Sequence, residues 1–127
     1  MAGQPVPNVT DDDVQRITLR DFGSSDTAIA LSILQDLSRQ QENGRPSPRV
    51  CLAALKLADG DVGELRHYTK IAIEDYRDVI ALAEYPRYFR EVVNANVAEP
   101  VQYAIIDDDW NQYREWLEKK SGPGTRD

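Results

Sequence analysis

The stretch from Asp61 to Pro86 constrains the fold of this chain more than any other feature of its sequence. Asp61 and Glu64 are spaced as an approximate capping box, and Pro86 prevents a helix from continuing far beyond Glu84. When the residues between them are projected at about 100° per residue, apolar, aromatic and small side chains fill one broad arc. Its members are Val62, Leu65, Tyr68, Thr69, Ala72, Ile73, Tyr76, Val79, Ile80 and Ala83, with Ile71 and Leu82 at the edges. An arc of roughly 200° needs neighbours on two sides, so the sequence predicts a central helix over residues 62–84.

Two further helices are predicted upstream of this one. The first runs from about Thr27 to Glu42, where apolar residues recur at spacings of three and four, and Gly44 is suited to a position just beyond its end. The second begins at Ser47-Pro48, an N-cap followed by a proline at the first helical position. Its residues from Val50 to Ala58 are apolar almost all round, so we expect this helix to be buried on most sides or to lie in a subunit interface.

The segment after the central helix has two interpretations. Apolar and aromatic residues at positions 103, 106, 110, 113 and 117 favour one helix from Pro100 to Lys119. The three aspartates at 107–109 are instead typical of a helix N-terminus, where the macrodipole favours negative charge. We favour a helix from about Asp108 to Lys119. Residues 14–22 fit neither alternation nor helical spacing, so a short β-like or irregular segment is open there and at 101–106.

These patterns together predict a mainly α-helical fold, a compact bundle of about four helices around the helix at 62–84. With 127 residues and a hydrophobic content of 41%, the chain has room for one domain and one core. We expect that domain to cover residues 11–120. The Pro- and Gly-containing ends, residues 1–10 and 121–127, are predicted to be flexible tails.

The net charge of −7 is carried by the two flanks of the sequence. Residues 27–90 hold nine acidic and nine basic residues, whereas both ends are acidic. An acidic chain repels phosphate, so we expect no nucleic-acid partner. The charge suits solubility and also a partner with a basic surface.

The same sequence predicts a cytoplasmic location and no membrane partner. It has no apolar run of about 18 residues, as a membrane span requires, and no secretory signal is visible. Cys51 is the single cysteine and cannot form an internal disulfide, which fits a reducing compartment.

Residues for nucleophilic or metal chemistry are sparse. Glu64 and His67 have the spacing of a di-metal carboxylate motif, but such sites need a second motif, and His67 is the single histidine. Cys51 lies within an apolar helix with no glycine-rich turn to expose it. We therefore predict no catalytic residue, no metal ligand and no cofactor, and we interpret Cys51 as a buried hydrophobic residue.

Asp75 is the one charged residue inside the apolar arc of the central helix. A carboxylate buried there must be paired or hydrogen-bonded. Trp110, Trp116, Arg87, Arg90 or the N-terminal amides of another helix are candidate donors. Asp75 then either fixes helix packing or contacts a ligand or partner, and Asp75, Tyr76, Arg77 and Asp78 form the first candidate group.

A second candidate group follows the central helix. Nine of the ten aromatic residues lie at or after Tyr68, and protein interfaces are enriched in Tyr, Trp and Arg. Arg87, Tyr88, Arg90 and Trp110 are therefore candidate partner contacts.

Two stretches of the chain carry a resemblance. Leu-Lys-Leu-Ala-Asp-Gly-Asp at 55–61 is followed by Asp-Tyr-Arg-Asp-Val-Ile-Ala-Leu-Ala-Glu-Tyr-Pro at 75–86. Over residues 50–90 the chain resembles short bacterial proteins of unassigned function. The resemblance implies a bacterial cytosolic origin and transfers no site residue.

Two functions are compatible with the sequence. The first is a non-enzymatic protein-interaction module that binds another protein or its own copy through the aromatic C-terminal half. The alternative is a small-ligand binder or enzyme that uses carboxylate and tyrosine groups around Asp75.

Overall fold

The chain folds into an all-α bundle, as its sequence predicts. A computed structural model describes residues 6–40, 48–93 and 95–120, and all the regular structure in these ranges is helical. The third helix packs against the other four, in agreement with its predicted central place. The helices are α1 (Asp11–Gln40), α2 (Pro48–Ala58), α3 (Val62–Glu84), α4 (Pro86–Glu91) and α5 (Glu99–Glu118).

Residues 14–22, for which a β-like segment was open, are helical and belong to α1. Their buried residues have full helical spacing: Val14, Ile17, Thr18, Asp21 and Phe22. Two of these five are polar, so the stripe is not visible as an apolar pattern. The Thr18 hydroxyl donates to the Val14 carbonyl at 2.6 Å, which satisfies it inside the helix.

The start of α1 is fixed by its own cap. The Asp13 carboxylate accepts a hydrogen bond of 3.0 Å from the Thr10 backbone N–H, which is one half of a capping box. Val9 before the cap packs against the core that contains Val14, in the positions of a hydrophobic staple. The packed chain thus begins before residue 11, the predicted start of the domain.

Helix α1 is broken at Gly23, whose φ of 66° and ψ of −177° are not helical. The positive φ suits glycine, which has no Cβ to clash. The helix predicted from Thr27 corresponds to the second piece of α1 and is confirmed as far as Gln40. The rest of that prediction, including Gly44 and Ser47, falls at 41–47, outside the described residues.

Helix α2 begins at Pro48 and is buried along most of its length, as predicted. It packs against both α1 and α3. Its buried residues are Val50, Cys51, Leu52, Ala53, Ala54, Leu55 and Ala58.

Helix α3 has the predicted ends. At its start the Asp61 carboxylate accepts from the Glu64 backbone N–H at 2.9 Å, while the Asp61 N–H donates to the Ala58 carbonyl at 3.0 Å. The cap is therefore one-sided rather than a reciprocal box. At the other end Tyr85 separates α3 from Pro86, the first residue of α4.

The preferred start of the last helix at Asp108 is wrong, because α5 is a single helix from Glu99. Asp109 does cap a helix N-terminus, but that of α4. Its carboxylate accepts from the backbone N–H groups of Arg87 at 3.1 Å and Tyr88 at 2.9 Å.

No helix in the described part of the chain combines the length and the apolar character needed to cross a membrane.

Candidate functional site

The structure places the predicted site residues in two separate groups. Asp75–Asp78 lie in the middle of α3, whereas Arg87, Tyr88 and Arg90 lie on α4, which packs against α5, the helix of Trp110. Within the described ranges, no hydrogen bond or ion pair joins the two groups.

Asp75 breaks α3 instead of being buried in it. Its φ of −156° and ψ of 97° are extended, and its Oδ1 accepts from the Arg77 backbone N–H at 3.1 Å. These are the features of an N-cap, so Asp75 starts a second helical piece. The Arg77 guanidinium also donates to both carboxylate oxygens, at 3.0 and 3.2 Å.

The prediction of a buried Asp75 is thus wrong, and so are its predicted donors on α4 and α5. Its side chain is 36% exposed. The projection that placed it in the apolar arc assumed one continuous helix, and the break at Asp75 itself changes the facing of the residues after it. Hydrogen bonds from Arg77 lower the pKa of the Asp75 carboxyl.

The neighbours of Asp75 face solvent. Tyr76, Arg77 and Asp78 are all exposed. Arg77 is committed to Asp75 in an exposed pair, whose contribution to stability is small. Asp75 therefore serves as a helix cap, and its charge is matched by that of Arg77.

The second group is organised by α5. Asp109 is buried, and burial raises the pKa of its carboxyl, while the backbone N–H groups of Tyr88 and Arg87 oppose that rise. The Arg87 guanidinium pairs with Glu91 at 2.8 Å and with Asp108. Two carboxylates thus neutralise the base that a phosphate group would need.

The positions of Cys51 and His67 do not suit nucleophilic or metal chemistry. Cys51 is buried and burial raises the pKa of its thiol to about 12, so at neutral pH it is protonated and a poor nucleophile. His67 is exposed on the polar side of α3. The described residues contain no cluster of three or more His, Cys, Asp or Glu side chains that could hold a metal ion.

A narrow groove lies where the end of α3, the start of α4 and α5 meet. Its walls are mainly aromatic and apolar, and the cavity inside it is about 10 Å³, room for about one water molecule. The residues that line it are Pro7, Glu84, Tyr85, Ile106, Asp109, Trp110 and Tyr113. We call it the Pro7 groove. Of the predicted site residues, Trp110 lies in it.

One side of the Pro7 groove contains an ion pair that sequence reasoning missed. Arg49 of α2 donates to both carboxylate oxygens of Glu84 at 2.7 Å, and Glu84 is buried. Gln112 of α5 donates to the carbonyls of Ala83 and Glu84 at 3.2 and 3.4 Å. A glutamate at the end of an apolar helix could have indicated a buried ion pair, but its partner Arg49 lies 35 positions away in the sequence.

Tyr113 presents the least satisfied polar group of the Pro7 groove. Its side chain is 1% exposed, and its hydroxyl has no hydrogen-bond partner among the described residues. Burial and the nearby negative charge of Glu84 raise the pKa of this phenol. Tyr113 therefore keeps its proton and has a donor available.

Apolar side chains are also exposed on α4, in the turn that follows it and on the first half of α5, and α4 packs against α5. Phe89, Val93, Val101 and Tyr103 are between 41% and 52% exposed. We call these four residues the α4–α5 surface. The Tyr103 hydroxyl donates to Glu99 at 3.1 Å, so its ring is held along the helix.

Comparison of the chain with models of protein families, with curated proteins and with solved structures found no match. The candidate site therefore rests on its own geometry.

Proposed function

We propose that this protein is a non-enzymatic interaction module that binds a protein partner through the α4–α5 surface. The observation that carries the proposal is the exposure of Phe89, Val93, Val101 and Tyr103 on α4, on the turn after it and on α5. Exposed aromatic and aliphatic side chains on two helices that pack against each other suit a binding surface.

The polar groups around this surface support binding rather than catalysis. Arg87 and Arg90 both pair with Glu91, and Asp109 is occupied by two backbone N–H groups. The neighbouring cavity is too small for a substrate.

Charge favours a different protein over a second copy. Helix α5 contains six acidic residues and one arginine, in a chain of net charge −7. Two copies would bring like charges together, whereas a partner with a basic rim would be attracted. Nucleic acid is disfavoured for the same reason. As part of the proposal, the protein acts in the bacterial cytoplasm, where the thiol of Cys51 stays reduced.

The alternative function, a ligand site around Asp75, gains no support from the geometry. Both carboxylate oxygens of Asp75 accept hydrogen bonds from Arg77, and the carboxylate also caps the helix.

The proposal is tested by comparing captured proteins between variants. Phe89→Ser and Tyr103→Ser are expected to lose a protein that the immobilised wild type retains from lysate, because each removes apolar contact area. Ile29→Ser is the matched control, since Ile29 is 42% exposed but lies on α1. Equal retention by all three variants, or no protein retained by the wild type, would contradict the proposal.

A further inference from the structure

The N-terminal segment places a proline in the groove between α3, α4 and α5. Val6 is 66% exposed and Asn8 is exposed, whereas Pro7 between them is buried. Pro7 lines the same cavity as Tyr85, Trp110 and Tyr113. A chain segment in which a proline is buried and both neighbours are exposed contacts the domain through that proline.

Local sequence explains how the segment reaches the groove. The bond from the Thr10 N–H to Asp13 and the packing of Val9 against the core fix where α1 begins. The Arg16 guanidinium donates to the Leu117 carbonyl at 3.1 Å, so the first turns of α1 lie beside the end of α5. Residues 6–8 thereby run along the same side of the bundle as the groove.

The composition of the groove matches a known way of binding extended chains. Segments containing proline keep a polyproline conformation with little loss of entropy, and aromatic-lined grooves recognise them. A buried tyrosine hydroxyl or tryptophan N–H usually has a hydrogen-bond partner. With residues 6–8 in place the buried Tyr113 hydroxyl has no partner among the described residues, so a displacing segment whose carbonyl reaches it would gain a hydrogen bond that residues 6–8 do not make.

We propose that the Pro7 groove is a binding site for an extended, proline-containing segment. In the free protein the chain's own Val6-Pro7-Asn8 occupies the site, and a segment of the same chemistry from a partner displaces it. This inference rests on the proposed interaction function for its purpose, but the binding itself does not depend on it.

The test uses a peptide with the sequence of residues 4–10, Gln-Pro-Val-Pro-Asn-Val-Thr, titrated into the full chain. Pro7→Ala empties the site, so this variant is expected to bind the peptide at least about tenfold more tightly than the wild type. Shifts of the Trp110 indole N–H signal in NMR spectra report the binding. Asn8→Ala is the matched control, because it leaves Pro7 in place and should behave as the wild type.

Three results would overturn the proposal. The first is that Pro7→Ala and the wild type bind the peptide with equal affinity. The second is that a peptide in which alanine replaces the second proline binds as well as the original peptide. The third is that a folded Pro7→Ala protein does not bind the peptide. If that variant does not fold, the wild type decides. In the wild type, excess peptide must shift the NMR signals of Pro7 to those of a disordered chain. If these signals do not shift, the proposal is overturned.

The two proposals can fail separately. Loss of a captured protein in Phe89→Ser concerns the α4–α5 surface, whereas peptide binding concerns the groove. A peptide that binds without any captured protein would support the site and contradict the proposed function.

Discussion

An ion pair between buried Glu84 and half-buried Arg49 joins α2 to the end of α3. The guanidinium donates to both carboxylate oxygens, and this interaction raises the pKa of Arg49. Desolvation makes such a pair weak evidence of net stability, but removing one partner leaves a buried charge without compensation. The pair therefore fixes how the two helices meet at the Pro7 groove.

Replacement of one partner should destabilise more than replacement of both. We expect Arg49→Met to lower the free energy of unfolding by about 3 kcal/mol, because Glu84 stays buried and unpaired. The double variant Arg49→Met, Glu84→Met should recover most of this loss. Urea unfolding measures both.

Arg39→Met is the control for that comparison, since Arg39 pairs with Asp36 on the exposed side of α1 and should change stability by less than about 1 kcal/mol. A double variant no more stable than Arg49→Met would contradict the expected role of the pair.

Helix α4 has only six residues, too few to be stable without support. Its support comes from α5, where Asp109 accepts from the Arg87 and Tyr88 backbone N–H groups. The orientation of Phe89 on the α4–α5 surface therefore depends on a residue in another helix.

Asp109→Ala should release the start of α4 without unfolding the domain. A lost N-cap costs about 1–2 kcal/mol, so we expect the amides of Arg87 and Tyr88 to exchange roughly five- to thirtyfold faster. Hydrogen exchange followed by NMR measures this. Asp108→Ala is the matched control, because Asp108 contacts the Arg87 side chain and neither amide; equal effects of both variants would contradict the assigned cap.

The second piece of α3 depends in the same way on Asp75. The pKa of the Asp75 carboxyl is lowered by the hydrogen bonds from Arg77. A lowered pKa in the folded state means that the carboxylate stabilises the fold above the unfolded value of about 3.9. That contribution is lost as the pH falls through the folded value.

The stability difference between wild type and Asp75→Asn is therefore expected to shrink as the pH is lowered from about 6 to about 2. Asn can still cap the helix, so the variant isolates the charge. Denaturant unfolding at several pH values gives the result, and Glu74→Gln serves as a control for a neighbouring exposed carboxylate. A stability difference that does not vary with pH would show that the charge of Asp75 does not stabilise the fold.

The helices were predictable where apolar spacing and caps agree, as in α2 and at both ends of α3. Prediction failed where polar residues are buried in a helix or cap one. Thr18 and Asp21 hide the helical stripe of α1, and Asp109 caps a helix other than its own. Projection of α3 also misplaced Asp75, because a side chain that breaks a helix cannot be located on it. The groove was not predicted at all, because it combines residues 7, 84 and 113, which no local sequence pattern connects.

Arg20 of α1 contacts the C-terminal end of α5. Its guanidinium donates to the carbonyls of Trp116 and Lys119 at 2.6 and 2.8 Å, pairs with buried Asp21 at 2.7 Å, and lies 5.2 Å from the centre of the Trp116 ring. A cation near these last carbonyls also complements the dipole of α5. Arg20 thereby holds α5 against α1.

Arg20→Lys should show that a positive charge alone does not hold α5 against α1. Lysine lacks the planar fork that bonds to several oxygens at once, so we expect a loss of about 1–3 kcal/mol, mainly because the part-buried Asp21 carboxylate or Trp116 carbonyl loses a partner. Thermal unfolding measures it. Arg16→Lys, at a more exposed position with one bond to α5, should lose clearly less, and the reverse order would contradict the assignment.

The tie between α1 and α5 also has a kinetic consequence. Its hydrogen bonds join residues 96 to 101 positions apart, whereas α2 and α3 are neighbours in the chain. Contacts that close a long loop cost the most entropy and are expected to form after the local α2–α3 pair. Substitutions at Arg20 should therefore accelerate unfolding and leave the folding rate nearly unchanged, a low φ-value that stopped-flow measurements can determine.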